Sequence, residues 1–292
     1  MAGAKEHMRA SIAAFGTEIA PASLEGVQRL FDAEQRALAN AVPAAATDLA
    51  YGADPRHRLD LYAPVNASAP APVFVWVHGG GFLRGDKGDA ERWPNAHAGR
   101  FAARAGFLGV VINYRLAPAH GWPAGGEDVG AAVAWLKANA AHYGGDPDRI
   151  VLAGTSAGAA HVATWLQLRP QSHGVRGAVL LSGLYGVAPY DDVRDLSYYG
   201  EDPSLHAERA PLETVVDTNL PLFVACSEFD PPRFQAEFLG LLSRRFECHG
   251  RLPRSYVGSG HNHFSLAYHL GTSDRRLGDE ITAFVREVCT LG

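Results

Sequence analysis

Gly154-Thr155-Ser156-Ala157-Gly158 sets a serine midway between two glycines, directly after the apolar run Ile150-Val151-Leu152-Ala153. A hydroxyl in that position can act as a nucleophile. A sharp strand-to-helix turn lifts it clear of the sheet, and small neighbours relieve the clashes that such a turn creates. A helix beginning at Ala157 aims its N-terminus at the same place. Spacing of this kind arises easily in a chain with 32 glycines, so its weight comes from the strand before it and the helix after it.

A second group of residues suits the same chemistry. Val73-Phe74-Val75-Trp76-Val77 is an apolar strand that runs into His78-Gly79-Gly80-Gly81. Attack on a carbonyl carbon builds negative charge on its oxygen, and backbone N–H groups are preorganised donors for that charge. Gly80 and Gly81, with the N–H of Ala157, are the expected oxyanion hole; Gly79 is a less defined neighbour. His78 is read as a group that orients this loop through hydrogen bonds.

A serine nucleophile on such a turn needs a carboxylate and then a histidine further along the chain. Leu222-Phe223-Val224-Ala225-Cys226 leads into Ser227-Glu228-Phe229-Asp230-Pro231-Pro232. Asp230 and Glu228 are both candidates for the carboxylate that orients the imidazole, and Glu228 is otherwise a partner for an arginine or a backbone N–H. The base is His261 or His263 in Gly258-Ser259-Gly260-His261-Asn262-His263-Phe264. His261, after a glycine-loosened turn, is favoured. The His-x-His pair has no further ligands at metal spacing, so neither a metal nor a cofactor is expected.

Around these residues, β-rich runs alternate with helical stretches. The runs are 58–62, 73–78, 108–113, 150–154, 178–182, 222–226 and 255–258; the helices are 96–105, 127–142, 157–168, 234–246 and 277–288. Continuously apolar strands fit a parallel sheet covered on both faces, and the alternation predicts a doubly wound α/β fold. Two stretches break the pattern. Residues 1–46 carry helical spacing, and residues 184–220 are rich in Pro, Asp and Tyr; either is a cap over the site or a helix on the sheet's flank. Phe15, Phe31, Phe82, Trp122, Tyr185, Tyr198, Tyr199 and Phe229 are candidate linings of an apolar pocket.

The chain has 292 residues, 47% of them hydrophobic, and a net charge of −5. That suits one domain over residues 1–292 and gives no basic surface for nucleic acid. Three cysteines without metal spacing fit a reducing cytoplasm. No apolar leader stands at residues 1–9, and no run is long enough to span a membrane.

Four ordered motifs resemble the hormone-sensitive-lipase-like carboxylesterases: His78-Gly79-Gly80-Gly81; Asn113-Tyr114-Arg115-Leu116-Ala117-Pro118 with Trp122-Pro123-Ala124 and Glu127-Asp128; Gly144-Gly145-Asp146-Pro147-Asp148-Arg149-Ile150; and the serine turn. The resemblance covers roughly residues 55–270, and Asp230-Pro231 is similar to the family's Asp-Pro, which implies Asp230 as the orienting carboxylate. It implies an α/β-hydrolase fold, a mostly parallel sheet of about eight strands with helical cap elements, and hydrolysis of short-chain or aryl esters without a cofactor. The partner is a small-molecule ester, and a homodimer is common among members. Two departures stand out: Thr155 where many members carry an acidic residue, and Asn262-His263-Phe264 at the histidine. The latter resembles arylformamidases and makes amide hydrolysis the alternative activity. A binding protein that has lost catalysis is the alternative from another class.

Overall fold

The computed structural model describes residues 2–66, 70–169 and 174–290. Eight strands form its sheet: β1 (Ala46–Ala50), β2 (Arg58–Tyr62), β3 (Ala71–Val77), β4 (Leu108–Ile112), β5 (Gly145–Thr155), β6 (Val175–Leu181), β7 (Leu222–Phe229) and β8 (Arg254–Asn262). Their spatial order is β1-β2-β4-β3-β5-β6-β7-β8. β2 runs antiparallel to both neighbours, and every pair from β4 onward is parallel.

The central strands are apolar throughout because each face meets helices. On β3, Val73, Val75 and Val77 enter one core while Phe74 and Trp76 enter the other. β5 and β7 divide the same way: Ile150, Leu152, Leu222 and Val224 face one side, Val151, Ala153 and Phe223 the opposite. This is the period of two expected of a pleated strand.

Eleven α-helices among the described residues complete the fold. α1 (Ala2–Ala13) and α2 (Pro21–Ala41) precede the sheet; α3 (Ala96–Arg104), α4 (Ala124–Asn139) and α5 (Ala157–Leu168) alternate with its first half. α6 (Val193–Tyr199), α7 (His206–Arg209) and α8 (Leu212–Asp217) lie between β6 and β7, followed by α9 (Pro232–His249), α10 (Ser265–Tyr268) and α11 (Arg276–Thr290). Val129, Val162, Val215 and Leu241 bring α4, α5, α8 and α9 onto one face, and Phe101 and Phe284 bring α3 and α11 onto the other. No helix among the described residues is long and apolar enough to cross a membrane. All three cysteines are free thiols.

β1 and the start of α4 are among the places where the structure differs from the sequence reading. β1 was not anticipated, because this edge strand has no fully buried residue and no apolar alternation, and it bulges at Asp48, where φ is +54°. α4 begins three residues before the expected Glu127, with Ala124-Gly125-Gly126 packed under the chain: a Cβ at Gly125 would stand 2.1 Å from His161. The fold leaves the carboxyl ends of β3, β5, β6, β7 and β8 along one edge, where an open α/β sheet binds its ligands.

Candidate active site

Ser156 sits between the end of β5 and the start of α5 at φ +54° and ψ −124°. A serine holds this conformation only when its surroundings enforce it. Here the enforcement is close packing across the turn. A Cβ on Gly158 would lie 2.1 Å from the Val77 carbonyl oxygen, and one on Gly154 would lie 2.4 Å from the Gly158 carbonyl carbon. The Ser156 N–H is fixed by the Leu181 carbonyl at 2.8 Å.

The glycine loop comes off β3 beside this turn. A Cβ at Gly79 would stand 3.3 Å from the Ser156 Cβ. Gly80 has φ +137°, and a side chain there would strike the Arg84 carbonyl at 1.9 Å. His78 donates from Nδ1 to the Gly79 carbonyl at 2.7 Å, and the Tyr114 hydroxyl donates to the His78 carbonyl at 2.9 Å. Burial pushes the His78 imidazole down to about 4, so it is a neutral brace for the loop.

Asp230 follows β7 and is fully buried. One carboxylate oxygen accepts the Ser182 hydroxyl and the Ser227 N–H, both at 2.6 Å; the other accepts His263 Nδ1 at 2.7 Å. Burial acts to raise its pKa, but the hydrogen bond and charge of His263 prevail, aided by Ser182 and Ser227, and hold it below the ordinary range. Nothing in the sequence singles out Ser182, which there is only the polar residue that ends an apolar strand.

His261 is not the partner of Asp230. Its Nδ1 meets the Ser265 hydroxyl at 3.2 Å and its Nε2 faces Asp274 at 3.3 Å, while its ring stacks on His269 with centroids 4.0 Å apart. The histidine that meets Asp230 is instead His263, two residues on. β8 ends at Asn262, so His263 leaves the sheet with the following turn and reaches Asp230, whereas His261 is drawn into a charge cluster behind it. Glu228, the alternative carboxylate, is paired with Arg9 at 2.6 Å.

The ligating atoms of His261, His269 and Asp274 lie within 4.8 Å of one another. The two rings lie nearly parallel, at 19°, so one ion cannot lie in both ring planes. Arg276 already supplies a cation to Asp274 at 2.5 Å. That arrangement fits an ion-pair cluster better than a metal cradle.

Ser156, Thr155, Gly79, Gly80, Gly81 and His263 line one cavity of about 1190 Å³. Its wall includes Thr17 and Ile19 from the turn between the N-terminal helices, Leu24 and Gln28 from α2, and Leu184, Asp192, Arg194 and Asp195 from the stretch between β6 and β7. Both segments expected as a cap therefore contribute wall residues. Of the eight aromatic candidates only Phe82 reaches the cavity. Phe15, Phe31 and Phe229 pack with α1 and α2, Tyr185 lies in a sheet-face core, and Trp122, Tyr198 and Tyr199 pack around Phe82. Trp93, Phe234, Phe264 and Tyr268 line the cavity in their place.

The Asn113-Tyr114-Arg115 and Glu127-Asp128 motifs brace this edge. Arg115 binds Asp128 and Glu127, and Asp128 also meets His57 Nε2 at 3.0 Å. Asn113 joins the loop beyond the glycines, donating to Asp86 at 2.9 Å and accepting from the Lys87 N–H at 2.7 Å.

Comparison with known proteins bears on the family and the fold. Residues 59–179 match the BD-FAE family model. Phenmedipham hydrolase of Pseudarthrobacter oxydans is 36% identical over 139 residues, which is 45% of this chain but only 27% of that protein's length. Esterase LipI of Mycobacterium tuberculosis is 31% identical over 219 residues, covering 65% of this chain and 67% of LipI. The solved structure of a bacterial heroin esterase superposes with a TM-score of 0.67 at 23% identity, over 97% of each chain, which supports the fold. With motifs, sheet order and a relative matched over two thirds of its length, the chain belongs to the hormone-sensitive-lipase-like esterases of the α/β-hydrolase fold.

Proposed function

We propose that this protein hydrolyses carboxylic esters of small molecules, with Ser156 as nucleophile, His263 as base and Asp230 as the carboxylate that orients it. The observation that carries the proposal is the 2.7 Å contact between His263 Nδ1 and Asp230, made by a histidine on the wall that also holds Ser156. With Nδ1–H donated to Asp230, Nε2 is left to accept a proton.

In the reaction, Ser156 Oγ attacks the ester carbonyl as His263 Nε2 takes its proton. The N–H groups of Gly80, Gly81 and Ala157 receive the oxyanion; the Ala157 N–H is free for this because the first turn of a helix leaves its donors unpaired. Collapse expels the alcohol, protonated by His263. Water then attacks the acyl-enzyme by the same route and restores Ser156. Asp230 stays ionised and stabilises the imidazolium.

α1–α2 and the segment from Leu184 to Asp217 form the cap in this reading. The cavity of about 1190 Å³ exceeds what a short acyl group fills, since drug-sized sites run to about 1,000 Å³. An aryl or other bulky group on one side of the ester suits it. Amide hydrolysis remains the second reading, favoured by the assignment of the base to Asn262-His263-Phe264, the turn that resembles arylformamidases.

The test is a leaving-group panel with active-site labelling. A fluorophosphonate should label Ser156, and Ser156→Ala should remove turnover of p-nitrophenyl butyrate. Unchanged turnover in that variant would sink the proposal. A much higher kcat/KM for an aryl formamide than for any ester tested would shift it to the amide reading.

A further inference from the structure

We infer that Arg9, on α1, is a positioning residue that holds the acid-bearing and base-bearing turns in register with each other. The inference rests on the function proposed above. Its guanidinium grips Glu228 with both ends of the fork, Nη1 at 2.9 Å and Nη2 at 2.6 Å, and Nη1 also donates to the Ser259 hydroxyl at 3.0 Å. Glu228 in turn accepts the Gly260 N–H at 2.7 Å and the Ser259 hydroxyl at 3.0 Å. Glu228 stands two residues before Asp230, and Gly260 three before His263. One arginine from outside the sheet thus ties the end of β7 to the end of β8 where each delivers a catalytic group.

Other details belong to the same device. The guanidinium carbon lies 5.7 Å from the Phe229 ring centroid, a cation–π contact to the residue next to Asp230. Gly260 has φ +81°, and a Cβ there would come 3.3 Å from Arg9 Cγ, so glycine lets the arginine stem lie against the turn. Farther along, fully buried Gln35 on α2 donates from Nε2 to the Tyr268 and Leu270 carbonyls at 2.8 and 2.9 Å. The N-terminal helices therefore hold the histidine-bearing stretch from both sides, and the Thr17–Ala20 turn between them is cavity wall. A bidentate guanidinium–carboxylate pair fixes direction as well as distance. Half-exposed, with side-chain exposures of 47% and 33%, it contributes little to global stability, so its loss should be felt at the site.

The experiment compares wild type, Arg9→Ala, Arg9→Lys and Glu228→Gln by kcat, KM and the pH profile of p-nitrophenyl butyrate hydrolysis, with the pH dependence of fluorophosphonate labelling as a substrate-independent readout. Arg9→Ala should lower kcat about tenfold, in the range that a misplaced catalytic group produces. A looser Asp230 contact favours imidazolium less, so the acid limb of kcat/KM should move to lower pH. Glu228→Gln, which keeps the side chain's shape and an acceptor for Gly260, should do the same with an unchanged melting temperature; Arg9→Lys should recover part of kcat. Wild-type kcat and an unmoved acid limb in both Arg9→Ala and Glu228→Gln would overturn the inference. Wild type that neither turns over nor labels would instead overturn the functional reading.

Discussion

Asp230 takes hydrogen bonds from Ser182, Ser227 and His263, which reach it from the ends of three different strands. Its direction is therefore set before substrate arrives. Replacing it by Asn, which can present the wrong tautomer to the imidazole, should lower kcat by about 10⁴-fold, read as initial rates on an activated ester. The two histidines separate in the same assay. His263→Ala should lose about 10³-fold or more, while His261→Ala keeps kcat within about tenfold and loses about 1–3 kcal/mol of stability from the buried partners left behind. A reversed order of those two variants would return the base to His261. That Ser156, the glycine loop and the Asp230 turn converge was legible in the sequence because each sits in a short local pattern. Which of His261 and His263 meets Asp230 was not, since it depends on where β8 stops and which ring the next turn carries inward.

At the scale of elements, the nucleophile turn depends on α5 pressing against β3. Gly158→Ala would force a methyl within 2.1 Å of the Val77 carbonyl, where only backbone movement can make room. We expect a loss of about 3 kcal/mol or more, seen as a lower urea midpoint together with weaker labelling of Ser156. An alanine variant as stable as wild type would mean that the helix can slide. Strand and helix positions were readable because the central strands are apolar on both faces and the helices follow each strand in turn. β1 was unreadable for the opposite reason, as an edge strand buries too little to impose a pattern. The N-terminal helices were legible as helices, but their seat over the sheet edge was not. That seat is fixed by Arg9, Glu34 and Gln35, whose partners lie more than 200 residues away in sequence.

For the whole molecule, four deeply buried histidines set the response to acid. Burial is the main cause at each: His78 and His97 are pushed down to about 4, and His161 and His269 to about 3. The unfolded chain takes up protons at these groups near pH 6.5 while the folded one refuses them, so protons favour unfolding. The stability they allow is complete above that pH and falls as pH drops toward 4, at about 1.4 kcal/mol per pH unit for each histidine. The depressed carboxylate of Asp230 adds to the loss only at lower pH, below the ordinary aspartate value. Urea midpoints should be nearly level above pH 7 and drop steeply from pH 6 to pH 5. A flat profile across that interval would show that these imidazoles find protons in the folded state.

The order of strands along the sheet has a consequence for how the chain comes into being. The glycine loop follows β3 and Ser156 follows β5, but His263 follows β8, the last strand in sequence and the one at the sheet's far edge. A ribosome delivers Ser156 long before His263. Until β8 docks on β7, Asp230 has no imidazole to orient and Arg9, already synthesised, has no Gly260 turn to hold against Glu228. On the assignment proposed above, the half-made chain holds Ser156 without its base until the sheet is complete.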